Sequence, residues 1–248
     1  MKKALILLSL LVTLVGCNNG SRLSSDDNKI YYGETPVGTF LPVESDAIAY
    51  DDQMEFLDDN TLKITRTFTA LQDIDSIRLT LNFRHESECQ SAMIPSVSYD
   101  GNHWGKGKEP KGFQTDGVWH TYSYRRTPIP GATYSEGKDF AVAMWSTNPT
   151  NEADAFSCSL MPEDTEVTHS LILPEEERPF IYSGRDSYKD GFARKLSMRK
   201  GETRKMEAYL SVSPKSDNSY PIATFLDKAW ELADKEYAKG TPADKVWE

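Results

Sequence analysis

Apolar and polar positions alternate over two stretches in the first third of the chain. In TLKITRTFTAL, Leu62, Ile64, Phe68 and Ala70 share one face, with Thr61, Lys63, Thr65, Thr67 and Thr69 opposite. SIRLTLNF repeats the period, setting Ile77, Leu79, Leu81 and Phe83 against Arg78, Thr80 and Asn82. A repeat of two puts successive side chains on opposite faces of a strand, so both stretches predict half-buried strands. Arg66 falls in the apolar phase of the first one. It needs a buried partner or marks an exposed strand end.

FAVAMW, Phe140 to Trp145, is apolar in both phases and predicts a central strand covered on both sides. TEVTHSLILP puts Val167, His169, Leu171 and Leu173 in one phase, which predicts His169 as a satisfied core histidine. ARKLSMRKGETRKMEAYLSVS reads as a hairpin turning near Gly201. Short strands, frequent Gly, Pro, Asn and Asp turns and no intervening helical period predict a mainly β fold, an antiparallel sandwich over 37–217.

The period changes once, near Ser219. SYPIATFLDKAWELADKEYAKG carries Ile222, Phe225, Leu226, Ala229, Trp230, Leu232, Ala233 and Tyr237 three or four residues apart, as on an amphipathic helix. Pro221 suits its first turn and Gly240 its stop. The segment 218–248 is therefore expected to be helical. It is either one helix docked on the sandwich or the start of a helical module that this chain only begins.

The N-terminus bears on location. Lys2 and Lys3 precede an apolar run from Ala4 to Val15, well short of the ~20 residues of a spanning helix. This reads as a secretory signal over 1–16. Leu14-Val15-Gly16-Cys17 looks like a bacterial lipobox, with Cys17 as the lipidated residue of the mature protein. A polar tether is expected over 17–36. Lipid on Cys17 would be the chain's link to the membrane of the cell envelope, anchoring it without spanning. Asn18 and Asn19 lack an inner-membrane retention aspartate, which favours the outer membrane and leaves the face open. Outside the cytoplasm, one Cys89–Cys158 disulfide and two buried thiols are both open readings.

Formal charge is −10, and loss of Lys2 and Lys3 would take it to −12 (−10 − 2). Nucleic-acid binding needs clustered cations to displace counterions, so that class is excluded. The glycines and lysines of SYDGNHWGKGKEPKGF suggest a phosphate loop, but Gly105-Lys106 is followed by Gly107, and Gly107-Lys108 by Glu109. Neither fits Gly, four residues, Gly-Lys-Ser/Thr. HESEC puts Cys89 where a zincin needs histidine and follows a strand rather than lying on a helix. His85, His103, His120 and His169 are widely spaced, no calcium loop is present, and no G-x-S-x-G elbow occurs. No metal or cofactor is expected.

What remains is polar and aromatic. A sugar offers one C–H face that stacks on an indole, hydroxyls that seek planar donors and acceptors, and in uronates a carboxylate for Arg or Lys. Trp104 could stack, with Asn102, His103, Lys106, Lys108 and Glu109 around it. A second loop, YRRTPIPGATYSEG, supplies Arg125, Arg126, Tyr134 and Glu136. The plainer alternative packs Trp104 on the sandwich edge and leaves the lysines in solvent.

MIPSVSYDGNHWGKGKEPKGF (93–113), YRRTPIPGATYSEG (124–137) and AVAMWS together resemble the N-terminal β-sandwich of large exported bacterial carbohydrate-active enzymes. In that group the sandwich precedes an (α/α)6 toroid of six-hairpin glycosidase type. The resemblance covers the chain from about Val37 onward. It implies oligo- or polysaccharide contact for Trp104, Lys106, Lys108, Glu109, Arg125 and Arg126, catalytic carboxylates mainly on the toroid, and FLDKAWELADKEY as the first toroid helix. The expected activity is glycoside hydrolysis, with polysaccharide elimination an alternative, and catalysis by this chain alone is not expected. A stand-alone glycan-binding lipoprotein is the other reading. A self-contained enzyme would need two carboxylates about 5 or about 6.5–9.5 Å apart. Asp100, Glu109 and Glu136 are its candidates.

Overall fold

The computed structural model describes residues 22–99, 112–115, 117–181, 189–216 and 219–233. Two antiparallel seven-stranded sheets make up the fold. In spatial order the first contains β1 (Leu23–Asp26), β2 (Lys29–Tyr32), β3 (Thr35–Phe40), β6 (Leu79–His85), β15 (Val167–Leu173), β14 (Ser157–Pro162) and β11 (Tyr122–Ser123). The second contains β4 (Ile48–Phe56), β5 (Thr61–Ala70), β18 (Thr203–Pro214), β13 (Phe140–Trp145), β12 (Thr133–Glu136), β7 (Ser91–Ile94) and β8 (Ser98–Tyr99). Two ribbons complete it: β9 (Gln114–Thr115) with β10 (Val118–Trp119), and β16 (Glu176–Ile181) with β17 (Lys189–Ala193).

The strand periods set the layers. Phe40, Leu81, Phe83 and Leu171 of the first sheet and Leu62, Ile64, Phe68, Val142 and Leu210 of the second form one buried cluster between the sheets. Each such side chain contributes about 1.5–3 kcal/mol on leaving water. β13 is buried on both faces, as its unbroken apolar run requires. Phe140, Val142 and Met144 enter the inter-sheet core, while Ala141, Ala143 and Trp145 enter a second cluster with Phe225 and Ala229 of the helix. That helix, α1 (Pro221–Leu232), thus covers the outer face of the second sheet. Its Phe225 ring lies 5.2 Å from Trp145, and Lys228 reaches Asp58 at 2.8 Å. Its other side keeps Leu226 44% and Trp230 65% exposed.

Arg66 has the buried partner that its phase demanded. Fully buried, it forks onto Asp52 through Nε–Oδ1 (2.7 Å) and Nη2–Oδ2 (2.6 Å). Nη1 donates to the Leu41 carbonyl at 2.8 Å, and the guanidinium sits 4.6 Å from the Tyr50 ring centroid.

Three expectations change and one open reading closes. The hairpin about Gly201 does not form: Gly201, at φ +81°, turns the chain, but β18 lies between β5 and β13. The residues before the turn pack instead, Leu196 and Met198 in the core and Met198 bridged to Ile74. The sandwich begins at Leu23 rather than Val37, because Leu23 and Ile30 reach the core and draw much of the expected tether into the first sheet. No disulfide joins Cys89 to Cys158. Cys158 is a core thiol on β14, its pKa pushed up to about 12 by burial. Thr133–Glu136, expected in the second loop, is a strand, which leaves 124–132 as the loop. The signal, Cys17 and the far part of the C-terminal segment lie outside the described residues.

Candidate functional site

The two recognised loops arise from one edge of the sandwich. β8 is the last strand of the second sheet and β11 the last of the first. The 100–111 segment follows β8, and Tyr124–Arg126 follows β11 directly as a 3-10 turn. Asn102, His103, Trp104, Lys106, Lys108 and Glu109 lie outside the described residues, as does Asp100. The base of their segment is built from described ones. Ser98 Oγ donates to the Gly112 carbonyl, Phe113 is buried in the core, and the His120 N–H donates to the Phe113 carbonyl at 2.8 Å. Ser159 Oγ holds the His120 carbonyl at 2.8 Å. The His120 ring is buried with Nδ1 3.2 Å from the Tyr122 hydroxyl. Burial keeps its pKa below the ordinary histidine value, against a hydrogen bond with the Gly112 backbone.

The turn after β11 aims its two arginines differently. Ser123 caps it, accepting the Arg125 N–H at 3.2 Å and donating its hydroxyl to Glu175 at 2.5 Å. Arg126 forks onto Glu177, Nε–Oε1 2.7 Å and Nη2–Oε2 3.1 Å, and that bond raises its pKa. Its charge is spent on the fold. Arg125 is half-exposed, stacked 5.3 Å from the Tyr124 ring centroid and held by the Tyr124 hydroxyl at 3.0 Å. Its remaining contact is Glu152 at 3.4 Å, and Glu152 is 73% exposed. An exposed pair of this kind contributes about 0–1 kcal/mol, so an incoming carboxylate or hydroxyl can displace Glu152 at small cost. Arg125 presents a planar cation to solvent beside the half-buried Tyr124 ring.

The rest of the second loop is scaffold. Thr127 Oγ1 donates to the Tyr124 carbonyl (3.1 Å) and accepts the Gly131 N–H (2.9 Å). Gly131 has φ +66°, and a Cβ there would lie 2.6 Å from the Phe156 ring, so a larger residue would push Phe156 off Tyr124. Tyr134 is buried under α1 and donates to Glu136 at 2.7 Å, and Glu136 pairs with Lys215 at 3.0 Å. Neither reaches the edge as a free group.

Two polar groupings escaped sequence reading. Glu175, Glu176 and Glu177 are buried below the edge, each clamped by arginine: Arg194 on Glu175 (2.9 Å), Arg78 and Arg178 on Glu176 (3.0 and 3.4 Å), Arg126 on Glu177. The signal was present in LPEEERP, three carboxylates directly after an apolar strand. The second grouping crosses the core. Thr133 donates to the Met144 carbonyl (3.3 Å), leaving its oxygen to accept from His169 Nδ1–H (2.9 Å). His169 Nε2 then accepts the Ser135 hydroxyl (2.8 Å), and Ser135 accepts from His85 Nδ1–H (3.1 Å). Both rings are neutral, because burial lowers His85 to about 4 and His169 to about 3. Among the described residues no three His, Cys, Asp or Glu side chains are grouped to hold a metal ion.

No protein-family model and no curated protein matches the chain. Among solved structures, an Escherichia coli K12 protein named "putative aldose 1-epimerase" aligns over 77% of this chain and 67% of its own, at 14% identity and a TM-score of 0.32.

Proposed function

We propose that this chain is the glycan-contacting sandwich of a lipid-anchored, carbohydrate-degrading envelope protein. The edge formed by the 100–111 segment and Tyr124–Arg125 would bind an oligo- or polysaccharide. One observation carries this reading: β8 and β11, the outermost strands of the two sheets, launch both loops from the same edge. A polysaccharide lying along that edge would meet the 100–111 segment, which carries Trp104, and the exposed Arg125 with the half-buried Tyr124 beside it. Arg125 would hold a hydroxyl or a uronate carboxylate by displacing Glu152, and Arg126 would keep the turn in place through Glu177.

The exposed outer stripe of α1, Leu226 and Trp230 one turn apart, supports a helical module seated against it, as the resemblance to toroid-bearing enzymes implies. Hydrolysis or elimination would then belong to that module's carboxylates. The test is calorimetry with acidic and neutral plant and host polysaccharides on the wild type and Trp104→Ala. The wild type should give a binding heat that the variant loses. No heat from either protein sinks the proposal.

A further inference from the structure

We propose that the sandwich holds a second saccharide subsite, a pocket for one neutral pyranose ring at the end of the inter-sheet core, beneath the 146–154 connection. It rests on the reading that this chain binds glycans, and it lies beyond the loops that reading uses. The cavity measures about 240 Å³ and opens between β15, β18 and the residues after β13. At ~30 Å³ per molecule that is room for about eight waters. It suits a single sugar ring better than a drug-sized ligand, which takes roughly 300–1,000 Å³.

The lining has the chemistry of a sugar ring. Phe156 and Met206, each 6% exposed, and Leu171 and Leu173, each 1% exposed, close its floor with apolar side chains. Asn148 and Lys205, both exposed, stand at the rim as amide and ammonium for ring hydroxyls. Neither is held by a hydrogen bond to another described side chain. The lining carries Lys205 against Asp154 and Glu207, a net negative charge that disfavours an acidic sugar and suits a neutral one.

The walls are preformed. Ser146 Oγ donates to the Glu207 carbonyl at 2.7 Å, and the Ser146 N–H donates to the Pro130 carbonyl at 2.9 Å. Asn151 Oδ1 accepts the Ala153 and Asp154 N–H groups at 2.9 and 3.2 Å, fixing the far end of the connection. Phe156, on the pocket floor, stacks on Tyr124 with centroids 5.2 Å apart and rings 25° from parallel. That stack joins the pocket to the edge, so one branched or kinked glycan could place one ring in the pocket and its neighbour over Tyr124 and Arg125.

Full chain labelled at its methyl groups and its backbone amide nitrogens, titrated with methyl glucoside, galactoside, mannoside and xyloside, tests the pocket by NMR. Expected are shifts of the Leu171, Leu173 and Met206 methyls with at least one sugar. In Asn148→Trp, which plugs the mouth from an exposed position, the dissociation constant should rise about tenfold or more. A titration with the polysaccharide found by calorimetry separates the two sites. Shifts at Tyr124 and Arg125 with silent pocket methyls overturn the pocket and leave the edge reading standing. Silence at both places overturns both. Pocket shifts that Asn148→Trp leaves unchanged also overturn the subsite, because the ligand would then be elsewhere.

Discussion

Acid should unfold this sandwich through two histidines that face neither solvent nor ligand. His85 and His169 are 1% and 0% exposed, and their nitrogens are tied into the chain from Thr133 through Ser135. Burial depresses both pKa values, to about 4 and about 3; Glu86 opposes the shift at His85, and the neighbouring His85 adds to it at His169. A depressed histidine pKa means that the unfolded chain binds the proton first. Stability is therefore complete above the unfolded value of ~6.5 and is lost as pH falls from there toward the folded values. At pH 5 each unfolded histidine is ~1.5 pH units below its pKa, and at ~1.36 kcal/mol per unit the loss is ~2 kcal/mol each. That figure holds for folded values about a unit or more below 5.

Together the pair predicts ~4 kcal/mol between pH 7 and 5, a large part of the ~5–15 kcal/mol of a typical domain. His120, also depressed by burial, adds to the loss in the same direction. Glu136 acts later: burial would raise its pKa, Tyr134 and Lys215 bring it below 4.5 on balance, and its contribution disappears only as pH falls further. Urea unfolding at pH 7, 6 and 5 measures the curve. His169→Asn, which keeps a donor for Thr133, should remove ~2 kcal/mol of the pH dependence. A wild-type stability equal at pH 7 and 5 would refute the reasoning, since neutral buried rings cannot give a flat curve across that range.

Three further outcomes follow from the contacts. Asp52→Asn leaves the fully buried Arg66 without its counter-charge and should cost about 3–5 kcal/mol in urea unfolding, with the midpoint falling and the slope unchanged. Arg126→Ala should cost about 2 kcal/mol by leaving the buried Glu177 unpaired, whereas Arg125→Ala should change stability by less than ~0.5 kcal/mol yet weaken polysaccharide binding. Phe225→Ala removes the contact that seats α1 on Trp145 and should cost about 3–5 kcal/mol, read as faster protease cleavage within 221–232 and a lower Tm.

The period of two made the strands legible wherever one face meets the core, as at Leu62–Ala70 and Leu79–Phe83. FAVAMW announced its two covered faces, and the phase of Arg66 announced a partner, although nothing local named Asp52. Sequence reading failed where pairing is non-local. β18 follows a glycine turn, yet its long apolar face is satisfied between β5 and β13 rather than by the short segment preceding it. β1 and β2 bury only Leu23 and Ile30 in the core, with Tyr32 half-buried against it, too few for a polar segment to read as sheet. The His85–Ser135–His169 chain joins residues far apart in sequence, and no spacing rule reaches across two sheets. At the edge, Arg125 and Arg126 were legible as a pair but not as opposites. Only the position of buried Glu177 shows that one stabilises the turn while the other remains available.

Hydrogen–deuterium exchange of the full chain, with and without the polysaccharide that gives the largest calorimetric heat, tests the glycan edge most directly. Slowed exchange should concentrate in 98–126, on both sides of the β8–β11 edge, and should vanish in Trp104→Ala. Protection confined to the outer face of α1 or to β1–β4, with the edge exchanging as before, would contradict the account.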